Sequence, residues 1–245
     1  MEYAEWAPYY RRIREALGFS LERERAAADR LLALLPERAQ REPLERLARR
    51  LRGRDAVIVG LAPDVGPPPL WTLPVRDRPP VLIAADGATA RCLDAGLVPE
   101  VVVTDLDGPV PSEVSANARG ALVVVHAHGD NVPALEHWVP EFGGELVGSW
   151  SGPPEAGLID VGGFTDGDRA AYLAHHFGAP RLLLWGFDFD RVEEADARAL
   201  ERKRTKLRLA HDLLVRLAER GPSEVIEWRP DGGTVRYGPI GPSTQ

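Results

Sequence analysis

Apolar runs rich in Val, Ile, Leu and Ala recur through the middle of the chain, at 56–59, 81–85, 101–103, 121–125 and 181–185. Stretches with helical spacing lie between them, for example 89–95, closed by Gly96. Strands alternating with helices predict a mostly parallel, Rossmann-like α/β sheet with helices on both faces. Upstream, residues 5–52 read as helical. Leu31, Leu32, Leu34 and Leu35 lead to Pro36, which is expected to end or kink the helix. Leu44, Leu47 and Leu51 then recur at helical spacing. Downstream, Ala199, Leu200, Leu207, Ala210, Leu213, Leu214 and Leu217 trace one apolar face over 198–220, stopped by Gly221 and Pro222. Residues 225–228 and 234–237, joined by R-P-D-G-G, predict a hairpin. The expected division is a helical segment over 1–53, an α/β body over 54–220, and a closing segment of strands and tail over 221–245.

The runs at 81–85, 101–103 and 121–125 each end in a polar cluster, and a fourth such cluster lies downstream at 162–169. In an open parallel sheet, loops at the carboxyl ends of the strands converge on one place, and ligands bind there. The clusters are A-D-G-A (85–88), T-D-L-D-G (104–108), H-A-H-G-D-N (126–131) and G-G-F-T-D-G-D-R (162–169). If the third run continues through Asp105, that side chain and Asp107 share a face, since alternate strand residues do. Two neighbouring carboxylates repel unless a cation lies between them, and Mg²⁺ is commonly held by one or two carboxylates plus substrate phosphates. Asp166 and Asp168 open a helical stretch and are candidates to complete such a site, although capping is the plainer use of Asp there. His126 and His128 alternate in the same way, so zinc is a rival reading. Contact with phosphate oxygens is preferred, because hard oxygen ligands dominate the surroundings and no cysteine lies nearby.

Composition sharpens this picture. The chain has 245 residues and a net charge of −7, but residues 1–54 carry 13 arginines against nine acidic side chains. The body is therefore strongly acidic, which argues against broad nucleic-acid binding and suits a cation site. The basic helical segment interleaves acids throughout, so it reads as an appendage packed on the body rather than a nucleic-acid arm. Cys92 is the only cysteine, and no apolar run reaches the ~20 residues needed to span a bilayer, so a reducing, cytoplasmic location is expected. Of 30 basic residues only Lys203 and Lys206 are lysines. Spaced three apart on a helix, they share a side and offer point charges to a polyphosphate. The preference for Arg, the scarcity of thermolabile side chains and the abundance of Pro fit a protein of high-temperature origin, and a GC-rich genome gives a similar bias. The loop L-A-P-D-V-G-P-P-P (61–69) is not a Walker-type phosphate loop, and no such motif occurs elsewhere.

Taken with P-E-V-V-V-T-D-L-D-G (99–108), L-L-W-G-F-D-F (183–189) and K-R-T-K-L (203–207), these motifs resemble the archaeal 6-hydroxymethyl-7,8-dihydropterin pyrophosphokinase, or MptE-like, family over roughly 54–214. That family is related in fold to the catalytic domain of thiamin pyrophosphokinases. The resemblance implies transfer of diphosphate from ATP to a pterin hydroxymethyl group, with Mg²⁺ required and AMP released. ATP and the reduced pterin alcohol are the implied partners, with no nucleic acid, no membrane and, by analogy, a homodimer. Carried onto this sequence, Asp105, Asp107, Asp166 and Asp168 are expected at the metal. Asp107, His126, His128 and Asp130 are expected in catalysis. Asp86, Gly87, Asn131, Thr165, Lys203 and Lys206 are expected at the nucleotide. One departure is G-L-A-P-D (60–64), where Asp64 replaces an expected hydroxyl. A thiamin pyrophosphokinase, a metal-dependent phosphohydrolase and a non-catalytic nucleotide-binding module remain open as rivals. Trp150, Phe164 and Phe187 are candidates to stack on a flat heterocycle.

Overall fold

A computed structural model describes residues 3–35, 41–70, 78–191 and 196–238. Three helices come first: α1 (Tyr3–Leu17), α2 (Leu21–Leu34) and α3 (Arg41–Leu51). The stretch expected to be one long helical region is thus divided, with Gly18 in a left-handed turn at φ 72° and Ser20 capping α2. The expected break at Pro36 lies outside the described residues. The body follows as β1 (Ala56–Val59), β2 (Val81–Ala85), α4 (Ala88–Asp94), β3 (Val101–Thr104), α5 (Val110–Ala118), β4 (Leu122–His126) and α6 (Val132–Trp138). It continues as β5 (Leu146–Ser149), β6 (Leu158–Ile159), α7 (Asp166–His176), β7 (Arg181–Trp185), α8 (Ala197–Arg220), β8 (Glu224–Trp228) and β9 (Thr234–Arg236).

Nine strands form one sheet in the order β6-β5-β4-β3-β2-β1-β7-β8-β9. All neighbours are parallel except β8 and β9, the expected hairpin. The chain runs outward from β1 to β6, then returns through α7 to place β7 on the other side of β1. β5 and β6 were not expected from the sequence. The first carries Gly148 and the second has two residues, so neither shows a clear apolar alternation.

The strands are buried on both faces, as a sheet covered twice requires. Ile58, Ile83, Val103 and Val124 point to one face, where they pack with α7, α8 and the N-terminal Trp6, Tyr10 and Leu47. Val102, Val123 and Val125 point to the other, beneath Ala27, Ala28 and Leu31 of α2. The N-terminal helices therefore share the cores of the body. Their arginines are largely neutralised in place: Arg30 pairs with Glu136 at 2.7 Å, Arg25 with Glu155 at 2.7 Å, and Arg46 with Glu145. Gly148 leaves room for this docking, since a Cβ there would lie 2.6 Å from a Leu35 methyl and 2.5 Å from a Leu158 methyl. Among the described residues, no helix is long and apolar enough to cross a membrane.

Candidate active site

The carboxyl ends of β2 and β3 carry the central group. Asp86 follows β2 directly in a left-handed conformation, φ 43°, which Asp tolerates better than most residues. β3 stops at Thr104, earlier than the sequence argument assumed. Leu106 then adopts φ 66°, unusual for a branched side chain, and its N–H donates to the Thr104 hydroxyl at 2.9 Å. A tight left-handed turn, and not strand alternation, therefore brings Asp105 and Asp107 to the same side. One carboxylate oxygen from each of Asp86, Asp105 and Asp107 lies within 4.8 Å of the others. Gly108 makes the approach possible: a Cβ there would sit 2.2 Å from Asp86 Oδ2. The backbone N–H of Gly108 instead donates to Asp86 Oδ1 at 3.2 Å.

Beneath this group lies Glu113 of α5, fully buried. The Thr104 hydroxyl is 3.0 Å from Glu113 Oε1 and 3.1 Å from Asp86 Oδ1. Since one hydroxyl supplies one proton, a second must come from Glu113. Burial, with the Asp86 charge beside it, pushes Glu113 up to about 9, so it is a neutral acid at pH 7. Glu113→Gln should keep the melting midpoint near that of the parent, because it stays neutral and can donate. Glu113→Ala should cost on the order of 1–3 kcal/mol by leaving buried partners unmet. Chemical denaturation of both variants checks the contrast.

The arrangement fits a divalent cation on two counts. Asp105 Oδ1 is buried and has no hydrogen-bond partner. The Asp107 carboxyl is pushed up to about 6, first by burial and then by the charges of Asp105 and Asp86, with Lys206 opposing. Asp105 behaves differently. Burial opposes its ionisation, but His128 and Arg169 outweigh that and hold it below its ordinary value.

The histidines occupy distinct settings. His126 ends β4, is buried, and sets Nδ1 3.0 Å from the Ser149 hydroxyl. Burial and the nearby Arg169 charge hold its pKa well below the ordinary value, so it is neutral and supplies no charge to a phosphate. His128 places Nε2 3.3 Å from Asp105 Oδ2, while its Nδ1 accepts from the Asp130 N–H at 3.3 Å. Both ring nitrogens are thus engaged. Asn131, expected at the nucleotide, instead ties two strand ends together. Its amide donates to the carbonyls of Asp105 and His126, each at 2.8 Å, and accepts from the His128 N–H at 3.0 Å. Asp130, expected in catalysis, is not brought into the group. Its side chain is 49% exposed and pairs with Arg23 at 2.8 Å.

Helix α7 completes the site from across the sheet. Thr165 and Asp168 form a capping box. Asp168 accepts from the N–H of Phe164 at 2.6 Å, the N–H of Thr165 at 2.7 Å and the Thr165 hydroxyl. Asp168 is fully buried and both its oxygens are engaged, so the expected metal role gives way to capping. Asp166, two residues earlier and so on the opposite side of the helix, faces the other aspartates. Burial and the charge of Asp105 push its carboxyl well above the ordinary range, even with Arg169 3.3 Å away. Arg169 itself is buried and also donates to the Phe164 carbonyl at 3.0 Å. Nothing in the G-G-F-T-D-G-D-R motif distinguishes this buried arginine from a surface one. Gly163, at φ 90°, admits the close approach: a Cβ would meet Arg169 Cα at 2.5 Å.

Two hollows flank the carboxylates. The first is an open cleft of about 490 Å³ at the ends of β1 and β7, where the strand order turns back. It is lined by Gly60, Asp86, Gly87, Asp166, Phe187 and Lys203, among others. Gly60 and Gly186 touch backbone to backbone at its floor, since a Cβ on Gly60 would lie 2.7 Å from the Gly186 carbonyl oxygen. Asp64 does not line the cleft; it is highly exposed and lies 3.3 Å from Arg191, which does. The second hollow, about 220 Å³, is more enclosed. Asp105, Asp107, His126 and His128 line it from the strand ends, Arg169 and Lys206 from α7 and α8, and Tyr10, Phe19 and Glu24 from α1, the α1–α2 connection and α2. Thr165 and Asp166 border both spaces. The two lysines of α8 are thus divided, Lys203 to the cleft and Lys206 to the enclosed pocket. Of the expected stacking aromatics, Phe187 lines the cleft and Phe164 the pocket, while Trp150 is buried beneath Arg25.

An open, doubly covered α/β sheet with strand-end carboxylates between two hollows has the layout of an enzyme that brings two small molecules together, and the carboxylate trio could hold a metal ion. The chain belongs to the MptE-like 6-hydroxymethylpterin diphosphokinase family, whose model matches residues 29–194. It is 37% identical to the 6-hydroxymethyl-7,8-dihydropterin pyrophosphokinase of Pyrococcus furiosus, over 93% of this chain and 99% of that protein. It is 34% identical to the protein of the same name from Methanothermobacter thermautotrophicus, over 93% of this chain and all of that one. With the Methanocaldococcus jannaschii pyrophosphokinase it shares 35% identity over 77% and 80% of the two chains.

Proposed function

We propose that the protein transfers a diphosphate group from ATP to the hydroxymethyl oxygen of 6-hydroxymethyl-7,8-dihydropterin and releases AMP. The carrying observation is the trio Asp86, Asp105 and Asp107, set between an open cleft and an enclosed pocket. The nucleotide lies in the cleft, and the alcohol in the pocket. The β-phosphorus then sits at the boundary that Thr165 and Asp166 share. The alcohol oxygen bonds to that phosphorus as the bond to the α-phosphate oxygen breaks, and AMP leaves.

Asp86, Asp105 and Asp107, with Asp166 behind them, would hold Mg²⁺. Bound there, the ion supplies charge neutralisation across the diphosphate. Lys206 and Arg169 add fixed positive charge on the pocket side, and Lys203 on the cleft side. His128 donates from Nε2 to Asp105, holding that carboxylate in place. Asp107, the most exposed of the trio, accepts the hydroxyl proton. Such a reaction needs positioning and charge compensation more than covalent help.

Mass analysis after incubation with ATP, Mg²⁺ and the reduced pterin alcohol tests the proposal. Equal amounts of AMP and pterin diphosphate are expected. Phosphate release without an acceptor, or transfer to thiamin but not to the pterin, would replace it with one of the rival readings.

A further inference from the structure

The N-terminal helices contribute three side chains to the enclosed pocket: Tyr10, Phe19 and Glu24. None lies within the span matched by the family model, which begins at residue 29. Glu24 is the unusual member. A carboxylate that is 5% exposed is rare unless it is well partnered. One oxygen accepts from the Tyr10 hydroxyl at 3.0 Å, and the other from the Gly129 N–H at 3.1 Å. An ionised carboxylate has about four acceptor positions, so each oxygen keeps one free. Glu24 lines the pocket, which makes those positions available to a ligand. Its place in the first turn of α2 further favours an anion, through the partial positive charge at a helix N-terminus.

The placement is fixed by close packing. Gly129 lies against the backbone of α2, where a Cβ would fall 2.8 Å from Arg23 Cβ and 3.2 Å from the Glu24 nitrogen. The same short loop carries His128, which faces Asp105. The carboxylate of α2 and Asp105, just after β3, are thus both bonded to the same short loop. Phe19 and Phe164 add apolar ring surface, with centroids 6.3 Å apart and planes tilted by 47°. At about 220 Å³ the pocket is smaller than the roughly 300–1,000 Å³ typical of drug-sized ligands, and suits one small bicycle.

We infer that the N-terminal helices are the acceptor-recognition wall of the enzyme, and that Glu24 reads the adjacent amino and ring N–H donors of a 2-amino-4-oxopyrimidine edge. This rests on the reaction proposed above. A carboxylate with two free acceptor positions matches two parallel N–H donors, the same pairing it makes with a guanidinium. The ring lies against Phe164 and Phe19, and its hydroxymethyl arm points to Asp105 and Asp107. Glutamine at this position would present one acceptor and one donor, and so opposes the donor pair. A site built to bond donors also rejects an analogue that lacks them, because its own acceptors are then left unmet.

The test uses the full chain with Mg²⁺ and ATP. Two acceptors are compared: the pterin alcohol, and the same bicycle with oxygen in place of the 2-amino group. Glu24→Gln should raise the KM for the pterin alcohol roughly tenfold or more, with the KM for ATP within about twofold. The parent should prefer the amino compound by a similar factor, and the variant should lose most of that preference. Arg30→Gln removes only a surface ion pair between α2 and Glu136, and should leave the preference intact. Fluorescence titration of the pterin alcohol, without turnover, should show the same loss of affinity in Glu24→Gln. Equal weakening of both acceptors, with the preference unchanged, would make Glu24 structural and overturn the inference. Binding that discriminates as predicted without any AMP formation would uphold recognition and fault the proposed reaction instead.

Discussion

Asp105→Asn is expected to lower turnover on the order of 10³-fold, the scale seen when one pre-organised charge-stabilising group is removed. That corresponds to about 4 kcal/mol of transition-state stabilisation. The effect should be this large because the substitution changes the sign of what a cation meets. Asp105 Oδ2 serves His128 at 3.3 Å, and the amide oxygen of asparagine can take over that contact. The amide nitrogen is then directed to the position of Oδ1, the buried oxygen without a partner. Two N–H donors would face the ion where a carboxylate oxygen had been. The fold should tolerate the change, since the backbone carbonyl of Asp105 still accepts from Asn131. Steady-state kinetics beside circular dichroism melts decide the matter. Turnover within tenfold of the parent would remove Asp105 from the metal site.

The sequence carried the central strands well, because β-branched runs buried on both faces leave a signal in every residue. It carried the aspartate loops for a different reason: D-G and D-x-D-G are dense local patterns. Why they work was hidden. The left-handed Leu106 and the space that Gly108 leaves for Asp86 depend on a neighbouring strand 20 residues away in sequence. Residue type alone does not separate Asp166 from Asp168, but spacing does: T-x-x-D over 165–168 is a capping-box pattern, and the N–H groups of Phe164 and Thr165 bond Asp168 accordingly. Asn131 and Asp130 illustrate a limit. A polar residue after a strand serves ligand, backbone or surface with equal ease, and the outcome depends on what packs against it. The wall contributed by Tyr10, Phe19 and Glu24 left no local trace, since its partners lie at 105–131 and 164–169. Glu24 reads as one more acid on an interleaved basic helix until α2 docks.

Mg²⁺ should raise the melting midpoint at pH 7.5 and lose that effect near pH 5. The argument follows from Asp107. In the folded protein its carboxyl is pushed to about 6, against an ordinary value of 3.8. Between those two pH values the folded chain holds a proton that the unfolded chain has released. Stability without a cation therefore falls as pH rises through this window, and the full penalty is present above 6. The side chain is partly solvent-exposed, so screening reduces the penalty to on the order of 1 kcal/mol. Ligand ions relieve it by bonding the ionised form, and they must compete with protons below 6. At 100 times its dissociation constant, Mg²⁺ contributes about 2.7 kcal/mol. In a chain of this size that is roughly 5–10 °C. Asp107→Asn separates the two effects. In chelator it should melt a few degrees above the parent, because a repulsive charge is gone, and it should lose much of the gain from Mg²⁺ together with activity. Were this variant less stable than the parent in chelator, the crowding of Asp86, Asp105 and Asp107 would not be a source of strain, and the case for a cation between them would lose its physical basis.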